Sequence, residues 1–254
     1  MGLVNKSLLD RTPTGRYEVH ELLRRYGADK LLASGEVNQV RQCHLEYFAH
    51  YCAQLRDESW SQRQSERFSQ LAVEVHNLRI ALENCLDFGD PLAGLRMMWD
   101  LHANWKTLGT LFGYSDARSW LVQLLAAAPR PTPERLHGLI ALGHLIYVQG
   151  DYREALRALE EGLALSESLG DPRGTADAGF FLSWAAAALG DHGRARSLLD
   201  RSGALYGSLD DRVNQAYVVL VMGEMARQEG DLVEARRLHE QSAALHRQLK
   251  NKYM

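Results

Sequence analysis

Apolar residues recur at steps of three and four over most of this chain, and helices are the elements such steps predict. Phe68, Leu71, Ala72, Val75, Leu78, Leu82, Cys85 and Leu86 share one helical face. Asp90-Pro91 then opens another helix through Leu95, Met98 and Leu101. Upstream, residues 36–57 read as a helix with Val40, Cys43, Tyr47, Phe48 and Tyr51 on its apolar side. The first 33 residues differ in kind. A run over Ser7–Arg11, a Thr12-Pro13-Thr14-Gly15 turn and the run Arg16–Val19 predict a short β-hairpin. A helix follows from about His20, with Leu22, Leu23, Tyr26 and Leu31 as its expected buried residues.

The second half repeats itself. Gly150-Asp151, Gly190-Asp191 and Gly230-Asp231 stand 40 residues apart, a spacing that signals an array of helix pairs. Around each turn the pattern holds: Ala141-Leu142-Gly143 before and Ala155 after, then Phe181-Leu182-Ser183 and Ala195, then Val221-Met222-Gly223 and Ala235. Gly ends one helix in a left-handed conformation and Asp caps the next. Asp151/Glu154 and Asp231/Glu234 also have capping-box spacing. Thr132-Pro133 and Asp171-Pro172 start the first helix of a pair. A degenerate unit precedes these, with Gly113-Tyr114 as its turn. The expected division is 1–33, a connector over 34–95, and repeats over 96–254, namely 96–128, 134–170, 173–209 and 212–250.

Composition narrows the function classes. The 254 residues carry a formal net charge of −3, which gives no general electrostatic reason to hold a nucleic acid. Three cysteines are an odd number for a disulfide framework. No run approaches a membrane span and the amino end lacks a signal-like apolar core, so a cytoplasmic location is expected. Cys43 and His50 share a helical face, but structural zinc needs four ligands and no second pair has the spacing. There is no Gly-x-Ser-x-Gly elbow and no His-Glu-x-x-His run. A non-enzymatic role without metal or cofactor is the expectation.

Leu3-Val4-Asn5-Lys6-Ser7-Leu8-Leu9 with Tyr17-Glu18-Val19-His20-Glu21-Leu22-Leu23-Arg24 resembles the end of the winged-helix domain in bacterial STAND-type signalling ATPases, relatives of the NB-ARC proteins. Val75-His76-Asn77-Leu78-Arg79-Ile80-Ala81-Leu82 is similar to the segment that introduces their tetratricopeptide (TPR) sensor. The resemblance implies an all-α, TPR-like right-handed α-solenoid preceded by a partial winged helix. It also implies a fragment of a longer signalling ATPase or transcriptional regulator. Val19-His20-Glu21 matches that family's Met-His-Asp motif, with Val for Met and Glu for Asp. By resemblance His20 senses the β-phosphate of ADP in the parent. The Gly-x4-Gly-Lys-Ser/Thr pattern is absent from these residues, so nucleotide binding by this chain alone is not expected.

In a TPR array the first helix of each pair lines the concave face. Steps of three and four pick out His137, His144 and Tyr147, then Phe180 and Trp184, then Tyr217, Glu224 and Arg227 as the exposed stripe. These rings would stack on an apolar or sugar-like ligand or seat a peptide side chain, unless they pack against neighbouring helices. The repeated inner position holds Thr107, His144, Trp184 and Glu224 in turn, which argues against a Lys/Asn clamp for a terminal carboxylate. The expected partner is a protein or a small-molecule inducer, with neither nucleic acid nor membrane. A free-standing TPR adaptor that scaffolds complexes is the alternative. The last helix, with Leu238, Leu245 and Leu249, is expected to lack a cover and to offer a homo-oligomer contact.

Overall fold

Aspartate and glycine set where these helices begin and end. The structure, a computed structural model, describes residues 8–11, 15, 17–57, 64–87, 89–102 and 107–252. Strands β1 (Leu9–Arg11) and β2 (Tyr17–Val19) are followed by α1 (Glu21–Ser34), α2 (Val37–Asp57), α3 (Gln64–Asp87) and α4 (Pro91–His102). Then come α5 (Thr107–Phe112), α6 (Tyr114–Ala127), α7 (Pro133–Val148) and α8 (Tyr152–Leu169). The chain closes with α9 (Pro172–Ala188), α10 (His192–Ser208), α11 (Arg212–Gln228) and α12 (Leu232–Lys252). Contacts divide it into two units, Met1–Tyr47 and Phe48–Met254.

In the first unit β1 and β2 pair antiparallel, Leu9 opposite Val19 and Arg11 opposite Tyr17. Of the connecting turn, Gly15 has a φ of 84°; Thr12, Pro13 and Thr14 lie outside the described residues, as do Leu3 to Ser7. Glu21 binds the guanidinium groups of Arg24 and Arg25, so two of the amino-end arginines are paired on their own helix. The buried set expected for α1 is corrected: none of its residues is buried, and Leu22 and Tyr26 are 69% and 61% exposed. A single helix beside a two-stranded ribbon has no second layer to cover it.

The apolar side of α2 is also corrected. Leu45, Phe48 and Cys52 are buried, whereas Val40, Cys43 and Tyr47 face out. The helix carries apolar residues on two stripes, and periodicity alone cannot choose between them. In α3, Leu71, Leu78, Leu82 and Cys85 are buried as the spacing requires, whereas Ala72 is exposed. The side chain of Phe68 lies outside the described residues.

From α6 onward each helix packs on its successor, and first helices also meet across pairs, α4 on α7 and α7 on α9. The turn signal recurs every twenty residues rather than every forty. Gly150, Gly170, Gly190, Asp210 and Gly230 all take positive φ. The next residue in each case, Asp151, Asp171, Asp191, Asp211 and Asp231, accepts from the backbone N–H three positions on at 2.9–3.2 Å. The carbonyl end is closed as well: Asp151 N–H donates to Ile146 O, and Asp191 and Asp231 repeat the bond to Ala186 and Ala226. The capping boxes form by half, because the glutamates turn elsewhere. Glu154 accepts from Arg118 of α6 and Glu234 from Arg237.

Small residues let paired helices close up. A Cβ on Gly143 would stand 2.5 Å from Leu159 Cγ, and one on Gly223 would stand 3.2 Å from Leu238 Cβ. Ser183, at the same repeat position, is buried and turns its hydroxyl back to donate to Phe180 O. On the outer side, Arg194–Glu160 and Arg201–Glu167 link α10 to α8 at 2.7 Å. The premise of an uncovered last helix is corrected in part. In α12, Ala235, Leu238 and Ser242 are buried and Leu245 and Leu249 half-buried, while Arg236, Arg237 and Glu240 are exposed. Those exposed charges form ion pairs within the helix.

Candidate functional site

The degenerate repeat begins at Asp90, whose carboxylate accepts from Ala93 N–H at 3.0 Å. Asp90-Pro91 therefore does for α4 what Thr132-Pro133 and Asp171-Pro172 do for α7 and α9. With α4 as a first helix, the repeated inner position is His102, His144, Trp184 and Glu224. Thr107 belongs to the short α5 that interrupts this unit. Trp99 and His102 were the residues sequence reasoning missed. The Gly-Asp spacing fails in that unit, and the Asp-Pro start was the signal that could have found them.

Those side chains form a continuous wall of rings. His102 Nε2 and His144 Nδ1 lie 3.0 Å apart. Trp99 stacks face to face on His137, centroids 4.5 Å apart at 4°, and on His102 at 5.3 Å and 16°. Phe181 closes on His144 at 4.8 Å and on His102 at 5.5 Å. Trp184 meets His144 edge-on at 5.9 Å, Phe181 at 5.5 Å and Tyr147 at 5.7 Å. Such offset and edge-to-face contacts add stability beyond the area they bury.

Accessibility divides the expected stripe. His144 and Phe180 are buried, at 1% and 8% exposed, and hold helices together rather than face outward. His137, Tyr147, Phe181 and Trp184 are half-buried, so the outer faces of these four rings make up the accessible part of the wall. Tyr217 is half-buried too, packs against the same core cluster as Phe181 and Trp184, and meets the ring of His246 of α12 at 5.2 Å. Glu224 and Arg227 form a bidentate pair, with Arg227 Nε donating at 2.9 Å. The carboxylate of Glu224 is thus already neutralised by its own helix. His20 lies in the other unit and caps α1, its Nδ1 accepting from Leu22 N–H at 3.3 Å.

The wall is electrically neutral at pH 7. Burial pushes His144 and His137 down to about 4 and His102 well below the ordinary imidazole value, helped in the last case by the neighbouring His144 and His137. Cations and acids at its edge are paired: Arg96 with Glu134, Arg56 with Asp100, and Arg173 with Asp211 and Asp177. Below it Asp177 is buried and accepts from Tyr206 Oη at 2.7 Å; burial raises its carboxyl to about 6. Burial also raises the phenols of Tyr147 and Tyr217. Neutral imidazoles, indoles and phenyls can stack on apolar or planar groups. Among the described residues no three His, Cys, Asp or Glu side chains gather to hold a metal, and no helix is long and apolar enough to cross a membrane.

No family model and no curated protein matches the sequence. Solved structures do match. A putative kinesin light chain with nearly identical TPR-like repeats from Podosopora anserina aligns at 19% identity over 79% of this chain and 98% of that one, TM-score 0.56. A Rap protein in complex with Competence and Sporulation Factor aligns at 12% identity over 78% of this chain and 54% of that one, TM-score 0.57. A STAND protein with a tetratricopeptide repeat sensor from Pyrococcus horikoshii aligns over 99% of this chain and 46% of that one, at 12% identity and a TM-score of 0.49. At these identities the likeness is one of fold: a TPR-like array of antiparallel helix pairs behind a short β-hairpin.

Proposed function

We propose that this chain is a non-catalytic sensor module that recognises a partner protein or an inducer on the wall built by α4, α7 and α9. TPR-like arrays generally bind proteins along the surface their stacked helices present. The observation that carries the reading is the row of half-buried, uncharged rings His137, Tyr147, Phe181 and Trp184, contributed by two successive first helices. A protein holding such rings at a helix surface rather than in a core exposes stacking area that a ligand can cover. With the edge charges already paired, the favoured occupant presents an uncharged aromatic or aliphatic side chain. A Rap protein of similar fold, solved in complex with Competence and Sporulation Factor, supports the reading.

Within this reading the chain acts in a larger signalling ATPase or transcriptional regulator, and binding shifts the balance between the parent's closed and open forms. A ligand does this only by binding one form better. His20 suits the nucleotide-sensing role implied by the resemblance. Its Nδ1 accepts a backbone hydrogen bond, so the neutral ring carries its proton on Nε2 and can donate to a phosphate oxygen.

A thermal-shift screen of peptides and small metabolites, followed by calorimetry on the hits, tests the proposal. Trp184→Ala should weaken a genuine hit by at least about tenfold, the loss of one well-packed aromatic anchor. Val233→Ala, on an exposed turn at the start of α12, should leave affinity unchanged. A hit that binds folded Trp184→Ala and His137→Ala as tightly as the native chain places the site elsewhere and ends the reading.

A further inference from the structure

The contact between His102 and His144 has a consequence for the fold itself. Both rings are almost wholly buried, at 3% and 1% exposed, and their nitrogens meet at 3.0 Å. A hydrogen bond between two imidazoles needs one N–H and one lone pair. If both rings are protonated, the lone pair is gone and two N–H groups face each other. Among the described residues, the rings of Trp99, Phe181 and Trp184 pack against the pair, and none of the three carries a charge.

Charged neighbours reinforce this. The groups acting on His102 are the imidazoles of His144 and His137, both of which oppose a positive charge there. His137 is faced by Arg56 from the end of α2, by Glu134 on its own helix, and by Asp171 and Arg173 of α9 and its cap. Of these, Arg56 is held by Asp100 of α4, Glu134 by Arg96 of α4, and Arg173 by Asp211 and Asp177. Among the described residues, the helices α3, α5, α6 and α8, also packed on α4 or α7, place no charged group among those acting on His102 or His137.

We propose that the His102–His144 pair is an acid-sensitive latch: neutral, it fastens α4 to α7 and α9, and protonation on acidification releases α4 while α9 to α12 stay folded. In the free chain an imidazole titrates near 6.5. Burial holds His144 to about 4 and His102 lower still in the folded protein. The unfolded or opened form therefore binds more protons between these limits, and the stability of the seam is present above about pH 6.5 and falls as pH drops towards 4. A helix-pair array supports such partial opening, because each unit contacts only its neighbours. The latch stands whether or not the wall binds a partner.

Hydrogen exchange of the full chain at pH 7 and pH 5, corrected for intrinsic rates, tests it. Protection over residues 91–102 should fall on the order of a hundredfold more than over residues 212–228, as expected for two rings that each gain a proton on opening. The double variant His102→Gln, His144→Asn keeps a donor and an acceptor without a titrating group, and should lose most of that selective fall, His137 alone still titrating against Trp99 of α4. Equal losses in both segments, or the same α4 loss in the variant, would overturn the proposal. If the variant does not hold α4 at pH 7, the histidine ring-proton titration of the native chain decides. Midpoints near 6.5 for His102 and His144 refute the latch, and rings that titrate only as α4 resonances disappear support it.

Discussion

Burial acts on Asp177 and on the three wall histidines in opposite senses, because it always favours the uncharged form. Asp177 is raised to about 6 although Tyr206 donates to it and Arg173 lies beside it. Its folded value lies above its unfolded one, so the stability it contributes is complete below about pH 4 and is lost as pH rises through 6. Asp177→Asn keeps an acceptor for the Tyr206 hydroxyl and removes the titration. The stability of this variant relative to the native chain should rise between pH 4 and pH 7, by at most about 3 kcal/mol, two units at about 1.4 kcal/mol each. Urea unfolding at several pH values measures this; a difference that does not change with pH would mean that Asp177 is ionised throughout. At this scale the sequence was a poor guide. Periodicity placed His144 on a first helix, but only the packed neighbours make His144 and Asp177 buried groups.

The helix ends are where sequence and structure agree most closely. Gly150, Gly190 and Gly230 occupy the left-handed region and the following aspartates cap the next helix, as the repeat spacing requires. Local chemistry decides such positions, since a positive φ and an acceptor three residues before an N–H need no tertiary partner. Asp210 is the instructive exception. It has a φ of 51° and is the one non-glycine residue with positive φ among those described, at the turn where its four counterparts are glycine. Asp tolerates this conformation at a cost. Asp210→Gly should therefore stabilise the chain by roughly 0.5–1 kcal/mol, less whatever its exposed pairing with Arg212 contributes. A shift in denaturant midpoint at unchanged m-value checks it, and a lower midpoint would show that the pairing outweighs the strain. The degenerate unit was legible from its Gly113-Tyr114 turn, but its first helix α4 was missed at this scale for a related reason: Gly113 turns into α6, and α5 breaks the spacing that marks the other pairs.

Across the whole molecule, contacts between elements run mostly between neighbours, α7 to α8, α8 to α9 and on to α12, and stability should be correspondingly local. Leu238 is buried on α12 beside Ala226 and Ala235. Leu238→Ala should cost roughly 2–5 kcal/mol in the last pair and leave hydrogen-exchange protection over α7 and α8 nearly unchanged. Uniform loss along the array would show that the array unfolds as one unit. The outer ion pairs that join α8 to α10 are 39–51% exposed on their arginines. They set register between neighbours more than they stabilise the whole.

Taken alone, the sequence determined the helical class, the hairpin at the start, the repeat and its caps, because each follows from backbone preferences and local periodicity. Only the tertiary structure decided which stripe of α2 turns inward, that no residue of α1 is buried, and that α4 stands in line with α7 and α9. It also decided that His102, His144 and Trp184 form one column, with Glu224 neutralised beyond them. Those outcomes depend on which surfaces meet across pairs some forty residues apart, and burial, stacking and proton affinity exist only once they have met.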